Sequence, residues 1–288
     1  MTTTTALDTR WAAVRAGLSR GWIETRQNLT ETVNVISHAL PPVVYVAVLL
    51  FMRGKTLPGR DFALVTMVLP SLLGMSIAYG GLSRPAGSIT ADREDGTLLR
   101  AKATPNGMLG YLVGKIVMFA LTTLLSLIAI VIPGIIIVDN LILDARTWLL
   151  LALIFVIGMV STVPIGVALG SLMKSSMQAS LVPLVCTLII MASGIFYPIT
   201  VLPTWLQSVA QAFPVYWVGL GARSAMLPAE MVVAEIGGSW RTIEMFAVLG
   251  VWAVIGLLLA PILLRRMARR QSGSAIAKTR ERIMAKGY

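Results

Sequence analysis

Few side chains in this sequence could do chemistry, and most of them crowd one stretch. From Asp92 to Pro105 the chain reads Asp92, Arg93, Glu94, Asp95, Gly96, Thr97, Leu98, Leu99, Arg100, Ala101, Lys102, Ala103, Thr104, Pro105. Carboxylates lead and cations follow, with no nucleophile–base pair or metal-ligand spacing among them. Such a mixture offers charge-assisted docking rather than bond-making. Elsewhere Asn34, His38 and Lys115 are isolated polar residues near the ends of apolar runs. A lone His38 reads as an interfacial residue more readily than as a proton relay, and Cys186, the sole cysteine, as a buried, inert thiol.

The elements that must hold these residues are apolar. The chain has 288 residues, 56% hydrophobic and 13% charged, with mean hydropathy +0.81. Soluble domains carry about 25% charged residues, so the expected class is an all-α integral membrane protein. Six spans are expected, at 33–52, 62–82, 108–138, 148–173, 177–196 and 245–264, each near the twenty or so residues that cross a bilayer. Pro41-Pro42 should kink the first span, and Pro133-Gly134 should break the third near its far end. Before the spans, residues 10–30 place Trp11, Val14, Leu18 and Trp22 on one helical face. That pattern suits a helix lying in the headgroup region, with a soluble amphipathic helix packed on a partner as the alternative. Residues 92–103 form a short polar helix between spans two and three. Residues 197–241, broken by prolines and studded with aromatics, suit short re-entrant or interfacial helices. A basic tail, 265–288, closes the chain.

Six spans put both termini on one side. With the termini inside, eighteen of the 24 Lys and Arg residues fall inside and six outside, while the acids divide almost evenly. The net charge of +11 is then wholly cytoplasmic, as the positive-inside rule requires, and needs no nucleic-acid partner. The start of the chain shows no signal peptide.

Absences narrow the function further. There is no GxxxxGK[ST] phosphate loop, so this chain is not expected to hold ATP or to be an enzyme. The span cores contain no Asp or Glu, whereas ion-coupled carriers usually keep an intramembrane carboxylate. No His-Glu-x-x-His or similar pair suggests an intramembrane protease. A membrane chain with neither its own energy source nor an ion-coupling site must borrow energy or be passive.

The polar stretch then carries a resemblance. Asp92-Arg93-Glu94-Asp95-Gly96-Thr97-Leu98, followed by Arg100, Thr104-Pro105 and Gly114-Lys115, resembles the signature of the type-two ABC-transporter permeases. So does Ser193-Gly194-Ile195-Phe196-Tyr197-Pro198, followed by Leu202 to Gln207, Pro214 and Ala222-Arg223. Leu99 and Lys102 depart from the residues that family often has there. The resemblance implies a permease subunit of an exporter in a prokaryotic plasma (inner) membrane, paired with a second permease copy or paralogue. It also implies two copies of a separate ATPase subunit, which carry the ATP and magnesium. Residues 92–103 would be the coupling helix, with Asp92, Glu94 and Asp95 at its start, Arg100 and Lys102 near its finish, Thr104-Pro105 as its stop, and Leu98 and Leu99 buried in the ATPase. Phe196, Tyr197, Pro198, Pro203, Trp205, Phe213, Pro214 and Arg223 would line or close the outer end of the path. For each aromatic among them an interfacial anchor is the competing role, and Arg223 would meet a headgroup or a carboxylate, or snorkel. The implied cargo is an amphipathic drug, a lipid or a lipid-linked glycan. A passive channel or secondary carrier, and a non-transporting membrane anchor for a cytoplasmic protein, are the rival readings.

Overall fold

The computed structural model of the chain describes residues 6–55, 63–173, 175–195 and 199–269. Among these residues the regular structure is helical, with no β-strand. In order come α1 (Ala6–Thr30), α2 (Thr32–Met52), α3 (Leu64–Glu94), α4 (Thr97–Lys102), α5 (Gly107–Ile137) and α6 (Ala145–Leu172). Then follow α7 (Ser176–Ala179), α8 (Val182–Ala192), α9 (Thr204–Ala212), α10 (Pro214–Met226) and α11 (Thr242–Arg269). Five of these, α2, α3, α5, α6 and α11, are long and apolar enough to cross a membrane, and the chain is a multi-pass membrane protein.

The expected first, third, fourth and sixth spans lie within α2, α5, α6 and α11. Pro41 and Pro42 sit inside α2, and Pro133-Gly134 inside α5, which ends only at Ile137. The break expected at Pro133 does not occur. The second helix differs most: it continues twelve residues beyond Leu82, through Pro85 and Gly87, to Glu94. The fifth expected span is divided, with α7 and α8 separated at Ser180-Leu181. The cause is Pro183, the second residue of α8, which has no N–H to donate back and whose ring crowds the carbonyl four residues earlier.

The core is built around α3. In its most apolar stretch 78% of residues are buried, against 11% in α2. Against α3 pack α5, α6, α8 and α10; α11 lies on α6, and α1 and α2 lie on α5. At 31 residues each, α3 and α5 are about 46 Å long, some 15 Å more than the hydrocarbon thickness. Their ends must stand clear of it.

The helix expected to lie in the headgroup region, α1, is fixed to α5 by small residues. Ala13, Gly17, Gly21 and Thr25 recur every four positions and are buried. Gly17 meets the backbone at Gly110, and Gly21 meets it at Gly114. Two four-residue glycine repeats thus face each other, the arrangement that lets helix backbones touch. On the other side Trp11, Leu18 and Trp22 are exposed, and Val14 is half-buried at the margin.

A side chain at Gly17 has nowhere to go, since its Cβ would lie 2.5 Å from the Gly110 carbonyl oxygen and 2.8 Å from Val113 Cβ. Gly17→Leu should therefore cost about 1–3 kcal/mol, seen as a lowered Tm in detergent. Ser19→Leu, on the exposed side of α1, should leave the Tm unchanged; equal Tm values for the two variants would contradict the packing.

Candidate functional site

At the end of the bundle that carries α4, three helices share one buried ionic cluster. Lys115, in the third turn of α5, is 4% exposed. Its Nζ lies 2.7 Å from Asp92 Oδ2 of α3 and 3.0 Å from Glu24 Oε2 of α1, and donates to Ser88 Oγ at 3.0 Å. The Tyr111 hydroxyl donates to the same oxygen of Asp92. Arg20 pairs with Glu24 at 2.6 Å and lies over the Tyr111 ring. Two cations and two carboxylates therefore neutralise one another where water is largely excluded. Burial works to raise the Glu24 carboxyl, but Lys115 and Arg20 outweigh it and hold the group below its ordinary value of 4.5.

This arrangement corrects the expected helix 92–103. Asp92, Arg93 and Glu94 form the last turn of α3, so Asp92 faces the bundle rather than capping a docking helix. The chain turns at Asp95-Gly96, with Gly96 left-handed at φ 81°, where only glycine is at ease. The Asp95 side chain accepts from the Thr97 amide at 2.8 Å and so starts α4. Leu98 is fully buried in this chain's own core, with Ala101 beside it, which removes Leu98 from any external groove; Leu99 is half-buried. The Thr104 hydroxyl donates to the Ala101 carbonyl at 2.9 Å and closes the helix, and Asn106, at φ 53°, leads into α5.

The cations of this stretch also hold helix ends. Arg93 donates to the Met173 carbonyl, at the C-terminus of α6, at 2.7 Å. Lys102 reaches the Ala268 carbonyl, beside the last described residue of α11, at 3.5 Å. The first of these bonds satisfies an orphan carbonyl at a negative dipole end. Exposed on α4 and its turns are Asp95, Arg100, Lys102, Ala103, Thr104 and Pro105.

The opposite end holds α9 and α10. With thirteen residues, α10 is about 20 Å long, too short to cross, yet nearly every residue is buried against α3, α6 and α11. Arg223 on α10 is 2% exposed and pairs through Nε with Glu235 Oε1 at 2.7 Å, while Nη1 donates to the Ile195 carbonyl at 3.1 Å. Of the alternatives open for Arg223, it meets a carboxylate of its own chain. Pro203 precedes α9 and Pro214 begins α10, the helix start that proline favours. Trp205 is exposed, and Phe213 stacks on Trp252 of α11 with centroids 6.0 Å apart. Neither contact encloses a path within the single chain. Phe196, Tyr197 and Pro198 lie outside the described residues, as does the tail beyond Arg269.

Glu24 and Glu235 are the functional-site residues that sequence reasoning missed. For Glu24 a signal existed: Arg20 stands four residues before it, in register with Gly17 and Gly21. Among the described residues no cluster of His, Cys, Asp and Glu could hold a metal. The arrangement mounts a short polar helix on the ends of several long apolar ones. The family model described as ABC-2 type transporter matches residues 12–227. No curated protein matches the chain.

Replacing Lys115 by Met leaves Asp92 half-buried without a counter-charge and Glu24 with Arg20 alone, which should cost about 3–5 kcal/mol. The triple variant Lys115→Met, Asp92→Asn, Glu24→Gln should recover most of the loss in a thermal unfolding measurement. If the triple variant is no better than Lys115→Met, the cluster is not what stabilises this end. Because the Glu24 value is lowered on folding, its contribution is present above pH 4.5 and lost as pH falls through the folded value. Acidification below pH 4.5 should therefore lower the Tm more in the wild type than in Glu24→Gln.

Proposed function

Because the chain belongs to the ABC-2 type transporter family, we propose that it is the membrane subunit of an ATP-driven exporter and that α4 is its coupling element. One observation carries this: α4 is exposed on one side and packed on the other against α3, α5 and α11, with Lys102 on the Ala268 carbonyl. A soluble ATPase that moved α4 would move three long helices with it, and α6 only through Arg93 of α3. Through Asp92, Lys115 and Glu24 the same displacement would reach α1. The docking face is Asp95, Arg100, Leu99, Ala103, Thr104 and Pro105, in place of the pair Leu98 and Leu99.

In this reading α4 and both termini are cytoplasmic and α9 and α10 lie at the outer side of a prokaryotic plasma membrane. α7 and α8, with the residues that follow, complete a sixth crossing in two pieces. ATP and magnesium belong to two copies of the ATPase, and two permease chains rock against each other to expose the path alternately. The cargo is an amphipathic drug, a lipid or a lipid-linked glycan.

Co-expression with an ATP-binding-cassette ATPase tests the coupling. The ATPase should co-purify with the wild type, and Arg100→Glu combined with Ala103→Trp should weaken its retention by about tenfold or more, roughly 1.4 kcal/mol, without lowering the Tm. Full transport by vesicles that lack the ATPase would favour a passive carrier. Retention of the ATPase without ATP-driven transport would favour an anchor.

A further inference from the structure

Among the described residues the buried and half-buried cations have partners, with one exception. Lys115 has two carboxylates, Arg223 has Glu235 and a carbonyl, and Arg93 has the Met173 carbonyl. Arg84 on α3 has no hydrogen bond or ion pair among the described residues, although its Nη1 is buried. It stands on the face of α3 that carries Ser88 and Asp92, one and two turns further along. The charges beneath it already balance, so nothing there neutralises it.

Arg84 opens into a cavity of about 250 Å³ between α2, α3, α5 and α8. Tyr45, Ser76, Tyr79, Thr123, Ser126 and Thr187 bring hydroxyls to its wall. Among the described residues two further polar atoms nearby lack partners: Thr123 Oγ1, packed against Gly80, and Nδ1 of His38, one turn along α2 from Pro42. Pro42 and Ser126 also line a second, larger cavity, about 500 Å³ and almost wholly apolar, that runs between α2 and α5 past Val43, Val46, Leu125 and Ala129. An unpaired guanidinium among hydroxyls thus adjoins an apolar groove. A lone cation in a membrane-spanning helix is costly and marks function, and a guanidinium with hydroxyls matches the oxygens of a phosphate or carboxylate. Arg84 lies ten residues before Glu94, about 15 Å along the helix, which is close to where α3 leaves the hydrocarbon.

The geometry points to a binding site for an anionic amphiphile: Arg84 takes its phosphate or carboxylate group, and the groove between α2 and α5 takes its apolar part. As a statement about cargo this rests on the transporter reading; as a binding site it does not.

The test uses the full chain purified in neutral maltoside detergent, without ATPase, and follows quenching of tryptophan by pyrene-labelled lipids. Phosphatidylglycerol should bind about tenfold or more tighter than a diacylglycerol with the same chains, which lacks only the anionic group. Arg84→Gln should abolish that preference without lowering the Tm, because the charge it removes has no partner to lose. Ala129→Trp, which fills the apolar groove, should weaken phosphatidylglycerol as well. Inorganic phosphate in large excess should fail to displace the lipid; complete displacement would make this a free-anion site and overturn the amphiphile. Equal binding of the two lipids to the wild type would overturn the site. So would a preference that survives Arg84→Gln, or a dimer lost in that variant, which would give Arg84 to a contact between copies. ATPase retention is read in a separate assay, so coupling can fail while this site stands, and the reverse.

Discussion

Lys115 must be neutralised, and much of the structure at the α4 end follows from that. An ammonium with 4% exposure, flanked by apolar turns of α5, cannot stand alone, since an uncompensated buried charge costs several kcal/mol. One carboxylate comes from the end of α3 and one from α1, so a single cation fixes the register of three helices. Asp92 can reach Lys115 only if α3 stays helical past the membrane boundary. Once it does, the chain must reverse at Gly96, and α4 is laid across the ends of the bundle. The glycine contacts between α1 and α5 serve the same end, because they bring the two backbones close enough for Glu24 to join.

Much of the fold was legible in the sequence wherever hydrophobic length alone decides it. α2, α5, α6 and α11 stand where the apolar runs stand. The errors lie where tertiary packing overrides local signals. Ser83 to Glu94 carries charges, Pro85 and Gly87, and reads as a loop; it remains helical because α6, α7 and α8 cover it and α5 supplies partners for its polar face. The exposed polar residues around α4 were legible from their charge, but their orientation was not. Leu98 looks like a docking side chain in the sequence and is a core side chain in the fold. Nothing local distinguishes the two, since an amphipathic six-residue helix has an apolar side whichever way it faces. Glu235 was invisible for a different reason: its partner, Arg223, is twelve residues away across a proline-rich turn.

The two ends of the bundle are stabilised in contrasting ways. At the α4 end, a network of six polar side chains joins separate long helices. At the opposite end one fully buried pair, Arg223 and Glu235, joins α10 to the segment that follows it and, through Ile195, to the end of α8. The first arrangement couples elements that are distant in sequence; the second braces a short inserted helix that has too few residues to cross on its own. A half-helix in a membrane leaves backbone groups at its buried end, and the Arg223 guanidinium supplies a donor at that depth.

α4 lies between two residues with left-handed backbone, Gly96 at φ 81° and Asn106 at φ 53°. Both are residue types that tolerate this conformation at small cost; the Gly96 carbonyl accepts the first bonds of α4 and the Asn106 carbonyl the first bonds of α5. On the coupling reading the segment would act as a crank between two elbows: its pitch would change by rotation at Gly96 and Asn106, and a push on its outer face would reach the long helices as torque rather than as unwinding.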